Sequence, residues 1–78
     1  MRERTEKCVV TFRTITGAMA MERLCREQGV PGRLIPVPRS ITAGCGMCWA
    51  APREAREAVE NLVIKEHLDV DGIYAIIL

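Results

Sequence analysis

The sequence predicts an α+β domain of βαββαβ order, a two-layer sandwich in which one four-stranded antiparallel sheet carries two helices on one face. Three observations support this. Two stretches with helical spacing of apolar residues alternate with four short β-rich runs in that order. Two prolines two residues apart mark one of those runs as an edge strand. A chain of 78 residues, 49% of them hydrophobic, supplies one core and has no room for a second.

Residues 1–6 are polar and read as a flexible lead-in to a single domain over 7–78. Lys7 to Thr14 is β-rich and places Cys8, Val10 and Phe12 on one face. Thr14 or Thr16 can cap the helix that follows, which runs to about Gln28. That helix turns Ala18, Met21, Leu24 and Cys25 inward and Glu22, Arg23, Arg26 and Glu27 mostly outward. Gly29 suits a left-handed C-cap, and Pro31-Gly32 turns the chain.

Arg33 to Pro38 is the second strand. Pro36 and Pro38 leave their missing N–H groups on the same side, so that side is a free edge, while Ile35 and Val37 can pair inward. Arg39 to Gly46 is a loop with two glycines, and Met47 to Ala51 a short third strand. Pro52 opens the second helix, with Glu54 and Glu57 near its positive end, His67 near its negative end, and Ala55, Ala58, Val59 and Leu62 inward. After the turn at Asp69-Val70-Asp71-Gly72, Ile73 to Leu78 forms the fourth strand. This is the split βαβ order of ferredoxin-like folds, whose second and fourth strands are edges, in agreement with the proline pair.

A formal net charge of +1, with Lys and Arg dispersed and three aromatics in all, argues against a nucleic-acid surface. The N-terminal residues lack an apolar signal segment, and the run from Ile73 to Leu78 is too short to span a bilayer. The expectation is a cytoplasmic protein with reduced cysteines and no cofactor.

Cys45 and Cys48 have C-x-x-C spacing, which serves dithiol exchange, half of a metal site, or activation of one thiol. The spacing alone is weak evidence. Gly44 and Gly46, which flank Cys45, add to it: they allow close approach of a ligand, and free loop N–H groups can stabilise a thiolate, with Arg39 as a nearby positive charge. Cys48 lies beside Trp49 on a strand, where a cysteine is ordinarily a small hydrophobe, and it is carried as a candidate resolving thiol. Cys8 and Cys25 fall on apolar faces and read as core, and His67 reads as a solvated helix end, so no four-ligand metal set forms. Arg13, Arg33 and Arg39 are candidates for an anion site at one end of the sheet, against the simpler reading of a solvated basic rim. No Walker loop, dinucleotide fingerprint or Ser/His/Asp spacing is present.

Several stretches taken together resemble the selenium/sulfur (Se/S) carrier protein-like family, formerly a domain of unknown function. They are Val9-Val10-Thr11-Phe12, the helix beginning at Thr16, Leu34-Ile35-Pro36-Val37-Pro38-Arg39, Cys45-Gly46 and Gly72-Ile73-Tyr74. The most specific of these is Pro-Val-Pro-Arg followed a few residues later by Cys-Gly. The resemblance implies a carrier whose Cys45 thiol holds sulfur or selenium as a persulfide or selenopersulfide and passes it on, rather than a complete enzyme. The partners so implied are a donor such as a cysteine desulfurase and an unidentified acceptor. The family pattern centres on the one cysteine at position 45, and Cys48 is an addition to it. The alternative is a non-catalytic ligand-binding or interaction module with structural cysteines, in which the apolar fourth strand pairs with another chain, including a second copy in a homodimer.

Overall fold

Thr14 decides where the first strand must end. Its backbone is extended, its side chain accepts a hydrogen bond from the Gly17 N–H, and the chain turns there from strand to helix. A computed structural model describes residues 5–41 and 44–78. It contains β1 (Glu6–Thr11), α1 (Ile15–Gln28), β2 (Arg33–Pro36), β3 (Met47–Pro52), α2 (Arg56–Lys65) and β4 (Gly72–Ile77), with one 3₁₀ turn (Arg53–Ala55) leading into α2. The expected element types and order are therefore observed. Of the six residues read as a lead-in, 1–4 lie outside the described residues, Thr5 exchanges backbone hydrogen bonds with Leu78, and Glu6 already belongs to β1.

The strands form one open antiparallel sheet of order β2-β3-β1-β4, so β2 and β4 are its edges. The proline pair acts as expected. Ile35 is paired with Cys48 and Pro36 with Met47, and the Val37 N–H donates inward to the Gly46 carbonyl at 3.1 Å. Beyond Pro36 the pairing thins to that single bond, and the strand is shorter than the stretch to Pro38.

Alternation of side chains separates the two sheet faces. Cys8, Val10, Phe12, Trp49 and Ala51 pack against Ala18, Met21 and Cys25 of α1 and against Val59 and Leu62 of α2 as one cluster, so both helices cover the same face. Gly29 ends α1 in the left-handed region at φ 73°, and its N–H returns to the Cys25 carbonyl. Two expectations for the second helix need correction: Pro52 ends β3 and a 3₁₀ turn precedes α2, and the inward stripe differs. Ala58 is exposed, and Val63 packs on the core instead, because the inward stripe runs through Ala55, Val59, Leu62 and Val63. His67 lies just past the C-cap of α2, near its negative end, in a left-handed turn at φ 52°.

On the opposite face Val9, Thr11 and Cys48 are fully buried without a helix above them. Tyr74 contributes to that cover. Its ring lies across Gly72, where a Cβ would sit 2.8 Å from the phenol oxygen, and Gly72 is paired with Thr11. On the helix side the Trp49 Nε1 is buried without a hydrogen-bond partner, and Gly32 packs so closely on it that a Cβ would come within 2.5 Å.

Candidate functional site

Cys45 lies in the connection between β2 and β3, and two glycines seat it there. Gly44 runs against the backbone leading into α1: a Cβ at this position would lie 3.1 Å from the Arg13 carbonyl oxygen. Gly46 has φ 79°, which favours glycine, and nothing lies within 4 Å of where its Cβ would be. The loop is thus held to β1–α1 on one side and, through the Gly46 carbonyl and Val37, to β2 on the other. Residues 42 and 43 of the expected loop lie outside the described residues.

The Cys45 thiol is half-buried, packs on the helix-side core, and donates to the Met47 carbonyl at 3.2 Å. This bond turns the sulfur along the chain toward the start of β3. Its partner in the C-x-x-C pair differs in kind. Cys48 is fully buried on the sheet face away from the helices. Burial, and secondarily the nearby charge of an ionised Cys45, push its thiol up to about 11. Of the two cysteines one is partly exposed and the other shut in. Cys8 and Cys25 are buried in the helix-side core, and burial raises both thiols as well, Cys25 to about 11.

The three arginines are not brought together. Arg13 ties the end of β1 to the turn before β4: its Nη1 donates to Asp69 Oδ1 at 2.7 Å and to the Val70 carbonyl at 3.3 Å, and its Nε lies 3.9 Å from Asp71 Oδ1. Two carboxylates thus offset the Arg13 cation. Arg39 is exposed in the turn closed by Ile41 N–H and the Pro38 carbonyl, and it makes no ion pair among the described residues. Arg33 opens β2, at the end of the sheet away from the Cys45 loop. The Arg13–Asp69 clamp was missed from sequence because its partners are 56 residues apart. Two carboxylates in the 69–72 turn were the available signal. Among the described residues no three His, Cys, Asp or Glu side chains gather as a metal set, and no helix is long and apolar enough to cross a membrane.

Comparison with known proteins gives one match. The model of a family described as "Putative Se/S carrier protein-like" matches residues 7–75, nearly the whole chain. No curated protein and no solved structure matches. The match takes in β2, β3, both helices, the Cys45 loop and most of β1 and β4, and the chain belongs to the Se/S carrier protein-like family.

Proposed function

We propose that the chain carries sulfur or selenium on the Cys45 thiol. The observation that supports this reading best is the contrast among the four free cysteines: Cys45 alone is partly exposed, in a glycine-seated loop, while Cys8, Cys25 and Cys48 are buried. In the carrier step the Cys45 thiolate attacks the outer sulfur of a donor persulfide, such as that of a cysteine desulfurase. A sulfur–sulfur bond forms to Cys45, the donor's own sulfur–sulfur bond breaks, and the donor leaves as a thiolate. An acceptor nucleophile then takes the outer sulfur and Cys45 leaves in turn. Gly44 and Gly46 keep bulk away from the sulfur. Arg39, exposed in the same loop, supplies positive charge for an approaching anion.

Cys48 enters as a resolving thiol only when its surroundings open, since it is fully buried and burial disfavours its thiolate. The scaffold in this reading is ferredoxin-like, which is supported by the βαββαβ order with the first and third strands central. A cytoplasmic setting accords with four unpaired cysteines, and the outer edge of β4 is where a second copy would add a strand.

The test is intact mass after incubation with a cysteine desulfurase and cysteine. The native chain gains one sulfur atom, removable by a reducing thiol, Cys48→Ser retains the gain, and Cys45→Ser loses it. A gain that survives Cys45→Ser, or no gain in the native chain, would overturn the assignment.

A further inference from the structure

The sheet face away from the helices carries a second feature, independent of Cys45. β3 is central, and its residues on this face are Cys48, Ala50 and Pro52. Ala50 is small, so the middle of β3 forms a low floor. Lys7 rises beside that floor from β1 and Arg33 from β2, because Lys7 is paired with Pro52 and Arg33 with Ala50. The two cations therefore stand on either side of one strand, offset by two residues along it and roughly 12 Å apart at their backbones, within joint reach of a single small ligand with long side chains closing on it.

The resulting cleft has a volume of about 690 Å³, within the range of small-molecule sites. Its walls are stiff and apolar: Pro36, Pro38 and Pro52 with Ile35. Proline walls lose little conformational freedom when a ligand docks. No carboxylate side chain lines the cleft, and neither Lys7 nor Arg33 belongs to an ion pair among the described residues. Glu6 and Glu54 lie beyond Lys7 in an adjoining hollow. An apolar floor between two cations that form no ion pair among the described residues disfavours neutral polar molecules and other cations. It suits an apolar body that ends in one anionic group.

We propose that this cleft binds a small organic anion, an apolar body bearing a carboxylate, phosphate or sulfonate group, seated on Ala50 with its charge between Lys7 and Arg33. The site lies on the other side of the sheet from the helices and needs no cysteine.

Two probes with the same aromatic body test it, anilinonaphthalene sulfonate and the uncharged phenylnaphthylamine, titrated into isotope-labelled full-length protein and followed by amide NMR. The sulfonate should saturate at one site, with its shifts centred on Lys7, Arg33, Ile35 and Ala50. Lys7→Gln with Arg33→Gln should weaken it at least tenfold, about 1.4 kcal/mol, while the uncharged probe binds more weakly and is indifferent to the pair. Arg33 is exposed and Lys7 half-buried, and the amide spectrum itself reports whether the variant is folded. Ala50→Leu keeps both charges, fills the floor and should abolish saturation. Sulfonate shifts centred elsewhere, equal affinity in the charge variant, or unchanged binding in folded Ala50→Leu would each overturn the proposal.

Discussion

At the scale of single residues, the four cysteines divide by solvent access, and that division has a consequence for stability at high pH. Cys25 and Cys48 are fully buried, and burial pushes each thiol from 9.0 up to about 11. In the folded chain both hold their protons where the unfolded chain has begun to lose them. Between pH 9.0 and about 11 the unfolded state therefore binds fewer protons, and stability falls as pH rises. Below pH 9.0 the contribution is fully present. Urea midpoints measured across this window should decline in the native chain. The decline should be shallower in Cys25→Ala and in Cys48→Ala, since each variant removes one of the two thiols. A slope identical in native and variant chains would show that these thiols are not held protonated by the fold. Cys45, by contrast, is partly exposed.

At the scale of elements, what was legible in the sequence was whatever a local rule decides. Gly29 and the Thr14 cap bound α1 without reference to the rest of the chain, and Pro36 and Pro38 reveal an edge because a missing N–H is a local fact. Boundaries set by neighbours were less legible. β1 stops at Thr11 because the chain must leave the sheet to reach the Thr14 cap, although Phe12 to Thr14 continues the β-rich pattern. Ala58 seemed inward by spacing, yet the sheet meets α2 along Val59, Leu62 and Val63. Pro52 was expected to begin the helix, but it ends β3 and the chain passes through a 3₁₀ turn first. The α1 cap also supplies the prediction at this scale. Thr14→Ala removes the acceptor of the Gly17 N–H and should cost about 1 kcal/mol in urea unfolding. Thr14→Ser, which keeps an acceptor, should recover most of it. A loss equal in both variants would place the effect in packing rather than in the cap.

At the scale of the whole molecule, the Cys45 loop was legible in part and the cleft on the open face was not. Glycines on both sides of a cysteine are visible in a sequence, whereas the Arg13–Asp69 clamp and the placing of Lys7 and Arg33 on the two sides of β3 exist only once register is set. Register also explains how a chain this short stays folded: it buries Val9, Thr11 and Cys48 on a face that no helix covers. The helix layer still depends on a few large side chains, and Phe12 is the largest of those fully buried. It sits where β1 hands over to α1, with its ring 3.4 Å from where a Gly17 Cβ would lie. Phe12→Ala should therefore cost about 3–5 kcal/mol, a large share of the roughly 5–15 kcal/mol that holds a small domain together. Equilibrium unfolding reads the loss directly. Alkylation gives a second reading: Cys25 and Cys48, protected in the native chain, should react in Phe12→Ala at rates approaching those of unfolded protein. Ile64→Ala, at a side chain 72% exposed, should change neither. If Phe12→Ala lost less than about 1 kcal/mol while Cys25 stayed protected, the two layers would not unfold as one cooperative unit.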